Sequence, residues 1–162
     1  MLSTSDLAVA PLSERTDDWL LQELRSLWQS FFWDIPQANQ VDISFARAWK
    51  TRLGLIRLSE TGGHTYIGLN LLLRESQVPE QVITVTIAHE IVHYAHGFGS
   101  PLPRKHRHPH NGDIVTRELV SRGLASQLRV FKEWTSTQWY SFYYTNFPHR
   151  RNGHNNNGHH GI

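Results

Sequence analysis

His89, Glu90 and His93 stand in the order H-E-x-x-H inside the stretch "ITVTIAHEIVHYAHGFGS", residues 83–100. On a helix, residues four apart share one face about a turn from each other, so His89 and His93 present ring nitrogens to the same ion. Glu90 lies about 100° around from His89, too far aside for a third ligand but near enough to touch a water on that ion. Zinc there would polarise the water and lower its pKa toward about 7, and Glu90 would take the proton and pass it to the leaving amine. A pattern with so few fixed positions also arises by chance, as polar residues that merely share a helix. Its setting decides between the two readings. Val82, Ile83, Val85, Ile87, Ala88, Ile91 and Val92 make the segment apolar nearly all round, which predicts a buried helix. Burying His, Glu and His in such a helix is costly unless something satisfies them, and a metal with bound water does so.

A catalytic zinc takes three protein ligands and leaves one position for water, so a third ligand must come from elsewhere. His96 continues the same face, but its seven-residue offset from His89 means about 10.5 Å of rise, against ~3.3 Å between ligand atoms on one zinc. It is better read as a helix C-terminal histidine favoured by the dipole. A metzincin site is excluded, because positions 96 and 99 hold His and Gly where that pattern needs Gly and His. The open candidates are His106, His108 and His110 in the next loop, and Glu118 beyond it. Tyr94 adjoins the motif but points elsewhere on the helix.

Several elements must position these residues. "TDDWLLQELRSLWQSFF" opens on Thr16 as N-cap with two acids behind it, and spaces Leu20, Leu24, Leu27, Trp28 and Phe31 as one face of a first helix. "VDISFARAW", "LGLIRLSET" and "HTYIGLNLLL" read as three strands, the last two joined as a hairpin by the Gly-Gly turn in "ETGGH". Pro79 suits the N1 position of the motif helix, and Gly97 suits its C′ position. "GFGSPLPRKHRHPH" is a loop. "NGDIVTRELVSRG" follows as a helix capped by Asn111 or Asp113 and stopped at Gly123, and Leu124, Leu128 and Phe131 indicate another beyond it. "WYSFYYTNF" fits strand or helix equally. The expected organisation is a flexible segment 1–15, one domain over 16–147, and a disordered His/Asn/Gly-rich tail over 148–162.

The whole chain bounds these readings. Its 162 residues allow one domain with a real core, and 39% hydrophobic with 19% charged residues is the composition of a folded protein. Without cysteine there is no disulfide, zinc ribbon or thiolate catalysis, so a metal site must use His, Asp and Glu. No apolar run approaches the roughly 20 residues that cross a bilayer, and the start lacks a basic leader, so a cytoplasmic protein without membrane contact is expected. Residues 1–90 carry 7 Lys and Arg against 11 Asp and Glu, net −4, while residues 91–162 carry 9 against 3, net +6. The basic second half offers a surface for DNA or another polyanion; the competing reading of Arg104, Lys105 and Arg107 is a solvated lid. His154, His159 and His160 belong to the polar tail.

The succession of a helix, strands containing "ISFARAWKTRLG" and "YIGLNLLL", then "TIAHEIVHYAHG" and "HNGDIVTRELVSRGL", resembles the SprT-like metalloprotease family, which includes the Spartan proteases. The resemblance spans roughly residues 17–130 and is most specific in the motif helix. It implies a compact zincin-like α+β fold, a small three-stranded sheet packed on helices including the buried H-E-x-x-H helix. It also implies a zinc metallopeptidase, with His89 and His93 as the first two ligands, Glu90 as catalytic base and His110 as the third ligand. Its substrates would be proteins or peptides, including DNA-associated proteins, with an extended chain pairing to an edge strand, for which "TYIGLN" is the expected segment. Departures from the family pattern are Asn111 in place of a glycine, Ile114 or Val115 where a large aromatic is usual, and no cysteine ribbon; His108 therefore stays in reserve as third ligand. The alternative class is a non-catalytic zinc-stabilised module binding nucleic acid or a protein, which would close the zinc shell with a fourth protein ligand such as His106 or His108.

Overall fold

A computed structural model describes residues 14–147 of the chain. The tail and all but Glu14 and Arg15 of the expected flexible segment lie outside these residues. Arg15 is tied down: its guanidinium donates to the carbonyls of Leu73, Glu75 and Val78 at 2.9, 2.8 and 2.7 Å.

Helix α1, Asp17–Phe31, begins where the Thr16 hydroxyl accepts the Trp19 N–H at 3.1 Å, and it buries Leu20, Leu24, Leu27 and Trp28. Strands β1 (Gln40–Phe45), β2 (Gly54–Leu58) and β3 (His64–Leu69) form one mixed sheet in the order β1-β3-β2. β3 runs parallel to β1, with Ile43 opposite Ile67, and antiparallel to β2, with Ile56 opposite Ile67. The expected hairpin is therefore present, and Gly62 takes φ 76° in its turn.

The edge strand, however, is not "TYIGLN". That segment is β3, the middle of the sheet, with both sides paired and Thr65, Ile67 and Leu69 buried. Composition does not separate the three strands, which are about equally apolar; β3 is central because β1 and β2 pair with its two edges, and its buried residues face the core. The edge facing the motif helix is β2 instead.

Buried Asn70 holds the segment leading into β2. Its side-chain amide donates to the carbonyls of Trp49 and Arg52 at 2.7 and 2.8 Å, and its oxygen accepts the Leu72 N–H at the start of the 3-10 turn Leu71–Arg74.

Helix α2, Glu80–Ala95, is buried nearly all round, as its apolar residues require. Pro79 is its N-cap, one position earlier than expected. At the other end Gly97 occupies C′ at φ 75°; its N–H bonds to the Tyr94 carbonyl at 3.0 Å and that of Phe98 to the His93 carbonyl at 2.8 Å. This paired arrangement is a Schellman cap. Tyr94 is a core residue: its hydroxyl donates to Asn39 at 2.7 Å and its ring meets Trp28 edge-on.

Helices α3 (Ile114–Ser121), α4 (Ala125–Thr137) and α5 (Trp139–Asn146) complete the domain. Asp113 is the α3 N-cap position, and Gly123 stops that helix at φ 92°. The aromatic segment resolves as helix because Trp139, Phe142 and Tyr143 fall on one face, where Trp139 and Phe142 pack with Trp134 of α4 and Tyr143 packs with Trp139. A continuous apolar core joins α1, the sheet and α2 to α4 and α5, which is the expected α+β class. No helix among the described residues is long and apolar enough to cross a membrane.

Candidate metal centre

Three of the sequence candidates come together. His89, His93 and His110 each offer a ring nitrogen, and these atoms all lie within 4.8 Å of one another. The Nε2 atoms of His89 and His93 are 3.0 Å apart, close to the ~3.3 Å separation of two nitrogens bound to one zinc. Helical spacing supplies this pair, while the 97–110 loop folds back to bring the His110 ring to 4.5 Å from that of His93.

The loop's path follows from local chemistry. The Schellman cap reverses the chain at Gly97 and lays Phe98, its C″ residue, against the His93 ring at 5.4 Å and the His110 ring at 5.8 Å. Next, the Ser100 hydroxyl donates to the Tyr94 carbonyl at 2.7 Å, and the Thr65 hydroxyl to that of Gly99 at 2.8 Å. The Lys105 N–H then reaches the His96 carbonyl at 2.9 Å.

The other candidates go elsewhere. His96, 5% exposed, has its Nε2 3.8 Å from Glu118 and its ring 4.7 Å from that of His106. Glu118 is already held by Arg122, whose Nε donates to it at 3.1 Å. His108 is exposed, and its carbonyl accepts the Asn111 N–H in the turn before α3. None of these residues joins the group made by His89, His93 and His110.

Burial sets the protonation states. Burial first, and the neighbouring histidines second, pull His89 down to about 4 and His93 to about 3. Both imidazoles are therefore neutral near pH 7 and carry the lone pairs a metal needs. His93 is 1% exposed, and its Nδ1, the ring nitrogen not paired with His89, has no hydrogen-bond partner. Borderline Zn2+ suits three imidazoles, so the donor set fits. Glu90, 5% exposed, is pushed up to about 8 by burial, with the Arg52 charge pulling the other way.

Two cavities flank this carboxylate. One of ≈ 320 Å³ runs from Thr51 and Leu53 to Thr86 and Phe131; the other, of ≈ 210 Å³, runs along Leu55 and Ile56 of β2 to Phe98. Arg52, Gly54, Glu90 and His110 border both. Sequence reasoning missed Arg52, Gly54 and Phe98. Phe98 was legible as the apolar residue after a C′ glycine. Gly54 gave no signal, because its role is a contact across the fold: a Cβ there would lie 2.9 Å from Thr86 Cγ2 and 3.0 Å from Glu90 Oε1. The chain matches no family model, no curated protein and no solved structure.

Proposed function

We propose that this chain is a zinc-dependent metallopeptidase of the SprT-like, zincin type. The observation that carries the reading is the convergence of the His89, His93 and His110 ring nitrogens beside the buried Glu90 carboxylate. Zinc bound there supplies the positive charge that lowers the pKa of a water and polarises a scissile carbonyl.

The remaining work falls to the chain's own residues. His89, His93 and His110 hold the ion as neutral imidazoles. Beside a bound cation, which favours the ionised form that burial alone disfavours, Glu90 takes a proton from the attacking water and returns it to the leaving amine. Gly54 leaves room for that carboxylate, since any side chain would press on it. β2 pairs only with β3 among the described residues, so its other edge is available to an extended substrate backbone beside the site. Exposed Arg104, Lys105 and Arg107 on the adjoining loop are compatible with substrates bound to DNA.

No fourth His, Asp or Glu joins the cluster among the described residues, which favours an open, catalytic coordination position over the closed shell of a zinc-stabilised module. Metal analysis of purified protein tests the reading: about one zinc per chain is expected, and His89→Ala with His93→Ala should abolish it. Glu90→Gln should keep the metal and lose protein hydrolysis by about 10²–10⁴-fold. Wild-type protein without zinc, or Glu90→Gln protein as active as wild type, would sink the reading.

A further inference from the structure

We propose that Arg52 recognises a carboxylate group of the substrate, so that the cleft selects peptide segments with an acidic residue flanking the cleaved bond. The inference rests on the peptidase reading above.

Two arginines with a structural task in this fold have most of their guanidinium donors engaged. Arg15 donates to three backbone carbonyls, and Arg122 to the Phe31 carbonyl and the carboxylates of Asp34 and Glu118. Arg52 differs. Its side chain is exposed, and among the described residues its guanidinium meets no carboxylate or carbonyl within bonding distance; the Trp49 ring lies 5.9 Å away, and Glu90 borders the same two cavities. Yet its backbone is not loose, because the Asn70 amide holds the carbonyls of both Trp49 and Arg52.

Arg52 also has the right address. It borders both cavities, on either side of Glu90 and His110, so a substrate lying across the site passes it. Among the described residues, Glu90 is the only carboxylate lining those cavities. Near the far wall, the Arg104 guanidinium sits 5.9 Å over Phe98, oriented by the carbonyls of His106 and Arg107. With a bound cation beside Arg52, and Arg104 near the wall, a cleft so placed would attract anionic chains. Of the anionic groups a peptide offers, a carboxylate matches the planar fork of an arginine with free donors, and the Trp49 ring beneath it limits the entropy lost on binding.

The test has two arms. Zinc-loaded wild type, Arg52→Gln and Arg52→Glu are given a mixed peptide library, with cleaved bonds read by mass spectrometry. Matched peptides differing by Asp against Asn are then compared for binding to the Glu90→Gln protein with and without Arg52→Gln. Wild type should prefer the acidic peptide by about tenfold, as a partly solvated charge-assisted pair allows. Arg52→Gln should lose that preference with zinc content and thermal unfolding unchanged, and Arg52→Glu should shift it toward lysine. Cleavage by wild type without acidic preference, or a preference that survives Arg52→Gln, overturns the role of Arg52 and leaves the peptidase reading intact. If wild type cleaves nothing, the peptidase reading fails, and the binding arm decides alone: a preference lost with Arg52→Gln supports the carboxylate site, and equal binding of the two peptides overturns it.

Discussion

Glu90 illustrates how one side chain can be set up by residues distant in sequence. Burial raises its proton affinity, Arg52 opposes that shift, and Gly54 gives it space. The last point is separable from the others. Gly54→Ala keeps an ordinary backbone conformation but places a methyl 3.0 Å from Glu90 Oε1, so kcat should fall about 10- to 100-fold while zinc content stays at the wild-type value. Unchanged turnover in that variant would show that the carboxylate has room to spare. The titrating groups also predict how the metal-free protein responds to pH. His89 and His93 sit below their ordinary 6.5, at about 4 and about 3, so the stability they contribute is complete above pH 6.5 and is lost as pH falls through the folded values. Glu90, raised from 4.5 to about 8, contributes in the opposite sense: fully below pH 4.5, with loss as pH rises toward 8. Two groups against one put the maximum near pH 6.5. The unfolding temperature of chelator-treated protein should therefore decline on both sides of that value, and Glu90→Gln should remove the alkaline decline.

At the scale of elements, the end of α2 matters as much as its length. Helical periodicity delivers the His89 and His93 pair, but the Schellman cap at Gly97 sends the chain back past Phe98 toward His110. A Cβ at position 97 would clash with the Pro103 carbonyl oxygen, and the φ of 75° is itself unfavourable for alanine. Gly97→Ala should therefore cost about 1–3 kcal/mol and, because the displaced segment carries His110, weaken zinc binding at least tenfold in competition with a chelator. Zinc affinity equal to wild type would mean that the loop reaches the site by another route. The apolar body of α2 makes a simpler prediction: Ile91→Ala, at a fully buried position, should lower stability by about 2–5 kcal/mol in denaturant titration.

For the molecule as a whole, α3 must be held against the rest of the fold, because it follows directly on His110. Arg122 provides that tie. From the end of α3 it donates to the Phe31 carbonyl and to Asp34 beyond α1, and its guanidinium lies 4.6 Å over the Phe32 ring. Arg122→Ala should destabilise the domain by about 1–2 kcal/mol, less than a fully buried pair because Asp34 is partly solvated. Added zinc should offset part of that loss by mass action, and a variant as stable as wild type without metal would show that α3 is secured by apolar packing alone. The α+β class, the capped first helix, the hairpin and the buried motif helix were all legible in the sequence. Local periodicity and cap chemistry act over a few residues, and Thr16, Gly97 and the apolar run from Val82 to Val92 carry them openly. Sheet order was not legible, because β1 and β2 bind β3 through backbone groups that every residue shares, so the segment expected at the edge, "TYIGLN", could equally stand at the centre. The candidate site divides in the same way. His89, Glu90 and His93 announce themselves by spacing, whereas Gly54 against Glu90, Arg52 at both cavities and His96 turned toward Glu118 depend on which distant segments meet. The sequence by itself determined most of the elements, the aromatic segment of α5 excepted, and which residues are fit to hold a metal. Only the tertiary structure decided what faces them, because that depends on long-range packing that no short stretch of chain encodes.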